Sequence, residues 1–176
     1  MSKLPAAAAF EVHRISGVLG AEVVGLDLSG PMSDETTAQL RSAFVKHEVL
    51  VFRNQDLSAE EQIEFGRRFG ELDTHPFVEG NPEHPEIVDI VTEPDDAFNF
   101  GGGWHTDVTF SASPPMCSVL KMVTTPPFGG DTMWTSLERA YDALSAPMKD
   151  LCDGLTALHD ALPHNHPEQM TVHPVV

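Results

Sequence analysis

The sequence predicts an α+β domain built on an antiparallel double sheet with helices packed near its start. Two observations carry this reading. Short runs rich in Val and Ile recur between turn signals, and two segments with clear helix-start chemistry lie within the first 70 residues. At 176 residues the chain has the length of one domain and can bury a substantial core.

Residues 10–16 and 22–28 read as strands of an opening hairpin, separated by the turn residues Gly17 and Gly20. Ser33 is the N-cap of a helix running to Lys46, with Leu40, Phe44 and His47 on one face and His47 as a helix-end residue. A short apolar strand follows at 49–52. Ser58 and Glu61 then form a capping box that opens a second helix carrying Ile63, Phe65 and Phe69 and stopping at Gly70. Both helices are expected to pack on a sheet. Residues 72–86, rich in Pro, His, Asn and Gly, read as a long functional loop that holds His75. Strands are expected at 87–91 and 116–123, on either side of a loop at 93–103. The glycines at 101–103 are not a phosphate cradle, because no helix start follows them. Short helices are expected at 137–144 and 147–152, with Pro147 in a first turn, and a strand at 155–159. Residues 161–176 place His164, His166 and His173 among prolines and read as a solvated loop.

The bulk properties narrow the partners. A formal net charge of -17 argues against nucleic acid and anionic membrane surfaces, so an anionic ligand must be held by local donors. Cys117 and Cys152 are far apart in no metal or redox spacing, which fits two buried thiols in a reducing compartment. No run reaches the ~20 apolar residues of a membrane helix, and residues 6–10 are too short for a signal-peptide core. A cytoplasmic protein is expected, with a homo-oligomer allowed.

Chemistry concentrates in Gly-Gly-Gly-Trp-His-Thr-Asp-Val-Thr-Phe at 101–110. If this stretch is extended, His105 and Asp107 point to one face while Thr106 faces away. An imidazole and a carboxylate suit Fe(II), Mn(II) or Zn(II), and with one further His they make the facial triad of non-haem Fe(II) oxygenases. His-x-Asp alone is weak evidence. Its surroundings are stronger: Trp104 before it, Thr109 and Phe110 after it, Pro114-Pro115 ending the segment, and Gly129-Gly130-Asp131-Thr132-Met133-Trp134 some twenty residues on. With Ala140-Tyr141-Asp142-Ala143-Leu144-Ser145, Gly154-Leu155, His159-Asp160 and His173-Pro174-Val175-Val176, nearly the whole chain resembles the taurine dioxygenase family of Fe(II)- and 2-oxoglutarate-dependent oxygenases.

The resemblance implies a jelly-roll, or double-stranded β-helix, with helices on its major sheet and His105 and Asp107 near the open mouth. It implies hydroxylation of a small anionic organic substrate with O2, giving succinate and CO2. Thr132 would donate its hydroxyl to the distal carboxylate of 2-oxoglutarate, and His75 would hold the anionic head of the substrate. The backbone N–H of Val108, beside the metal carboxylate, is a second anion donor. Where taurine users carry Tyr, Asn and Phe, this chain has Val78, Gly101 and Ala161. Each change removes bulk or a hydrogen bond, so a sulfate ester, a longer sulfonate or an aryloxy acid is expected in preference to taurine.

The resemblance also implies elements beyond the last residue: remaining jelly-roll strands, a distal His as third ligand, and Arg residues for the carboxylates. The domain is therefore expected to be incomplete at its C-terminus, with open sheet edges and exposed apolar faces. Alone it is expected to be poorly soluble or inactive, to bind Fe(II) weakly and to form no Fe(II)–2-oxoglutarate charge-transfer band. Among His159, His164, His166 and His173, no spacing recommends a third ligand. Two other classes compete: a non-catalytic anion-binding protein on the same fold, separated by iron- and 2-oxoglutarate-dependent succinate formation, and a Zn(II) hydrolase, excluded by O2 dependence.

Overall fold

The structure, a computed structural model, describes residues 9–93, 95–96 and 101–176. The loop expected at 93–103 therefore lies partly outside the described residues. Contacts divide the chain into two compact units, one of residues 1–70 and 119–142, the other of 71–118 and 143–176.

The first unit begins with the predicted hairpin. Strands β1 (Glu11–Arg14) and β2 (Ala21–Val24) pair antiparallel, with Val12 opposite Val23. Gly20 sits in their turn at φ +90, where a Cβ would meet the Ile15 side chain at 3.0 Å, so glycine meets both the backbone and the space requirement. Helix α1 (Asp34–His47) starts as its sequence dictates. The Ser33 hydroxyl accepts the Thr36 N–H at 3.1 Å, acidic Asp34 and Glu35 face the positive helix end, and Lys46 and His47 face the negative end. Strand β3 (Leu50–Phe52) then pairs parallel to β2. This one pairing is parallel within the expected antiparallel double sheet for a topological reason: α1 carries the chain back across the sheet, and a crossover of that kind returns it in the same direction.

Helix α2 (Ala59–Arg67) carries the complete capping box, with the Ser58 side chain receiving the Glu61 N–H and the Glu61 carboxylate receiving the Ser58 N–H. Both helices pack on the sheet as expected. Leu40 of α1 and Phe65 of α2 are buried with Phe10, Val23, Leu28 and Leu57, flanked by Leu50, Phe52 and Phe69. Phe65 meets Phe52 and Phe69 edge-on at centroid distances of 5.6 and 5.5 Å, a preferred aromatic geometry. The Arg41 guanidinium ties α1 to the end of α2 through two hydrogen bonds to the Arg68 carbonyl.

The strands predicted at 87–91 and 116–123 do not form. A run of β-branched residues becomes a strand only where a neighbour takes its backbone hydrogen bonds. Instead, side chains of α2 and its approach hold the later segment: Gln62 donates to the Val119 carbonyl at 3.2 Å and Lys121 to the Leu57 carbonyl. Helix α3 (Leu137–Asp142) ends the first unit, two residues shorter than predicted.

In the second unit, helix α4 (Ala146–Cys152) has its proline in the first turn, as expected. Strand β4 (Thr156–Ala161) follows, then a 3-10 turn at Leu162–His164 and strand β5 (His166–Pro174). The solvated loop expected at 161–176 is thus largely a strand, antiparallel to β4, with Leu158 opposite Val172. Its prolines sit where a strand tolerates them. Pro167 lies where the register shifts beyond Asp160, and Pro174 is the last strand residue, positions where a missing N–H costs no ladder bond. Cys117 and Cys152 form no disulfide and are half-buried, less enclosed than expected. The expected exposed apolar surface is present in both units, with Phe128 87% and Trp104 70% exposed. No helix of the described residues is long and apolar enough to cross a membrane.

Candidate metal and anion site

The second unit brings His105 and Asp107 together, though not by the predicted geometry. Residues 107–110 form a turn instead of an extended strand, closed by the Ser111 N–H donating to the Val108 carbonyl at 3.0 Å. Val108 sits at φ 54 in the left-handed region. For a β-branched residue that conformation costs on the order of 1–3 kcal/mol and persists only where its surroundings hold it.

Each member of the pair is oriented by the atom facing away from the other. The His105 Nδ1 lies 2.8 Å from the Gly103 carbonyl, which can only accept, so in the neutral tautomer Nδ1 carries the proton and Nε2 presents the lone pair. The Asp107 Oδ2 accepts the Ser118 hydroxyl at 2.8 Å, leaving Oδ1 available. These two remaining atoms, His105 Nε2 and Asp107 Oδ1, approach to 3.3 Å. Adjacent ligands at right angles around an ion, each about 2.1 Å from it, lie roughly 3 Å apart. The pair therefore fits two neighbouring positions of one divalent ion, with both side chains more than half exposed and reachable from solvent. Gly101, at φ +74, would place a Cβ 3.4 Å from the His105 ring, so the glycine-rich approach keeps backbone close to the imidazole.

Ser118 had no sequence signal. Partners of this kind typically contribute 10–100-fold to metal affinity. Ser118→Ala should accordingly weaken Mn(II) binding about tenfold or more in a paramagnetic-relaxation titration; an unchanged affinity would remove Ser118 from the site.

Among the described residues, no group of three or more His, Cys, Asp or Glu side chains is arranged to hold a metal. The other histidines are engaged elsewhere. His173 Nε2 contacts the carbonyls of Thr109 and Ser111, both at 3.0 Å, and its ring meets His159 at 5.4 Å. His166 stacks on Phe77 at 4.2 Å and bonds Glu168, and His164 packs against His75 with ring centroids 4.8 Å apart.

His75 is half-buried, with Phe77, Phe110 and His164 around it. Its Nδ1 accepts the backbone N–H groups of Phe77 at 3.2 Å and Val78 at 3.0 Å, so in the neutral ring the proton is on Nε2, a donor suited to an anion. Burial, then the neighbouring His164, lowers its pKa from 6.5, against smaller opposing effects of Asp107 and Asp73. The folded protein therefore binds this proton less readily than the unfolded chain, so the His75 contribution to stability is full above pH 6.5 and is lost as pH falls through the lower folded value. In an NMR titration the His75 ring should show a midpoint below 6.5, with faster Phe77 and Val78 amide exchange beneath it; a midpoint above 6.5 would contradict this arrangement.

Thr132 is exposed, in the first unit, following Gly129 and Gly130 at φ +78 and +70. Ala161, expected to leave room in the substrate pocket, is fully buried at the end of β4. Charge distribution favours imidazoles as anion donors in the second unit: seven of the chain's nine histidines lie in it, and Lys149 is its one Lys or Arg.

The model of the family described as "Taurine catabolism dioxygenase TauD, TfdA family" matches residues 11–176. The chain is 34% identical over 160 residues to an alpha-ketoglutarate-dependent sulfate ester dioxygenase of Pseudomonas putida, covering 90% of this chain and 52% of that protein. It is 32% identical over 162 residues to an alpha-ketoglutarate-dependent 2,4-dichlorophenoxyacetate dioxygenase of Cupriavidus pinatubonensis, covering 82% of this chain and 56% of the relative. A crystal structure of a taurine dioxygenase from Burkholderia xenovorans superposes with a TM-score of 0.83 at 38% identity, covering 96% of this chain and 58% of that one. The chain spans about half the length of the curated relatives it matches.

Proposed function

Because the chain belongs to the TauD/TfdA family of taurine catabolism dioxygenases, we propose that the native protein is an Fe(II)- and 2-oxoglutarate-dependent dioxygenase. Its substrate is a small anionic organic molecule: a sulfate ester, a sulfonate larger than taurine, or an aryloxy acid. One observation supports this above the others. The free donor atoms of His105 and Asp107 converge at 3.3 Å while their other polar atoms are held by Gly103 and Ser118. With this reading go one jelly-roll domain comprising both units and a cytoplasmic location.

In this mechanism His105 and Asp107 would hold Fe(II) through Nε2 and Oδ1. Iron with 2-oxoglutarate and O2 supplies an oxidant that converts a substrate C–H bond to C–OH, with release of succinate and CO2. The chain's own residues bind and orient. His75 offers its Nε2–H to the substrate's anionic head, the Val108 N–H is a second donor beside the metal carboxylate, and Thr132 donates its hydroxyl to the distal carboxylate of 2-oxoglutarate. Val78 and Gly101 add neither bulk nor a side-chain donor, which favours an apolar substrate body over the short, polar body of taurine.

The test is succinate formation with Fe(II), 2-oxoglutarate and O2 across taurine, longer alkyl sulfonates, alkyl sulfates and phenoxyacetates. Turnover of a longer or aromatic substrate with the higher kcat/KM is expected. A taurine kcat/KM above that of every larger substrate would overturn the substrate assignment. A second reading is an anion-binding protein without turnover, in which the His75 Nε2–H is the donor. Succinate release tied to substrate and O2 would exclude it.

A further inference from the structure

We propose that His173 is the positioning residue that keeps Val108 in its left-handed conformation, and with it the turn that joins Asp107 to Val108. Three observations meet here. Among the described residues, Val108 is the one β-branched residue at a positive-φ, non-glycine position, the others being Glu48, Asn54 and Asn165. The carbonyls of Thr109 and Ser111, just beyond it, both face His173 Nε2 at 3.0 Å. Carbonyl oxygens only accept, so Nε2–H donates to both in a forked hydrogen bond, and the ring tautomer follows from its partners.

His173 is itself well fixed. It lies on β5 with Ala157 of β4 opposite it, and the His159 ring packs edge-on against its imidazole. One rigid side chain thus grips the turn at both ends of the Thr109–Ser111 step. Relaxation of Val108 toward the extended region would redirect both carbonyls and break the fork. Without the fork, the turn keeps the Ser111 N–H to the Val108 carbonyl and the Ser111–Ser113 contacts, and is tied outward through the side chains of Asp107 to Ser118 and of Phe110 to His75, none of which holds the Thr109 or Ser111 carbonyl.

The conformational claim stands on this geometry alone. Only its functional consequence, correct aim of Asp107 and the Val108 N–H, rests on the proposed iron site. The test therefore uses no metal and no cosubstrate, and a failed dioxygenase assay would leave it intact.

The experiment is NMR of the full chain, reading backbone couplings and chemical shifts at residue 108 and amide exchange at Ser111. In the wild type Val108 should report the left-handed conformation. In His173→Ala it should leave that region, and Ser111 exchange should accelerate about tenfold, equivalent to about 1.4 kcal/mol. His173→Gln, whose amide can donate to the same carbonyls, should restore both. In His173→Ala/Val108→Asn the turn should stay left-handed, because Asn adopts that region at lower cost. Persistence of left-handed Val108 in His173→Ala would overturn the proposal. So would failure of Gln to rescue, or equal acceleration throughout β4 and β5, which would mean that the strand pair and not the fork had been lost.

Discussion

Asp107→Ala should lower substrate-dependent succinate formation by the native protein at least about a thousandfold, since a bound metal contributes several kcal/mol and each 1.4 kcal/mol is tenfold in rate. The loss follows from the geometry. Asp107 supplies one of two converging donor atoms, and Ser118 would keep its hydroxyl but lose the carboxylate it orients. An unchanged circular dichroism spectrum would show that the variant is folded. Retention of more than about a tenth of wild-type activity, roughly 1.4 kcal/mol or less, would move the metal elsewhere.

Leu40→Ala should produce the largest change in stability. Leu40 is 1% exposed and the largest fully buried side chain of the described residues, at the centre of the cluster joining α1 to β2, β3 and α2. Truncations of this kind cost about 2–5 kcal/mol, the lost transfer energy plus a cavity that the neighbours fill only partly. For a protein of this size, a loss of about 3 kcal/mol lowers Tm by roughly 6–12 °C. A shift under about 2 °C, measured by thermal unfolding, would mean that Phe44 and Phe69 collapse into the space.

The parts of this fold legible in the sequence are those governed by local chemistry. Ser33, Ser58 and Glu61 announce their helices because a capping side chain satisfies N–H groups two or three residues away. The β1–β2 turn is legible for the same reason, through Gly20. Strand β5 was not, because its pairing with β4 depends on a bulge that excuses Pro167, and nothing within 161–176 encodes the partner. The runs at 87–91 and 116–123 show the converse, with strand composition but no neighbour to pair with. The His105–Asp107 pair was found for a partly wrong reason. Alternation along a strand predicted convergence, and a turn through left-handed Val108 delivers it. The contacts of Ser118 and His173 with this turn are not legible, because they reach it from 11 and more than 60 residues away.

The separation between His173 and Thr109 is 64 residues, which bears on how the protein is made. The turn leaves the ribosome well before the strand that grips it. At synthesis rates of about 5–20 residues per second, the gap lasts roughly 3–13 s. Over that interval no imidazole spans the Thr109 and Ser111 carbonyls, and the strained rotation at Val108 is free to unwind. The buried cluster of the first unit, by contrast, is drawn entirely from residues 10–69 and can close early. Nascent chains therefore carry a formed first-unit core while the turn at 107–110 is still unset, and that turn is fixed only once β5 has emerged.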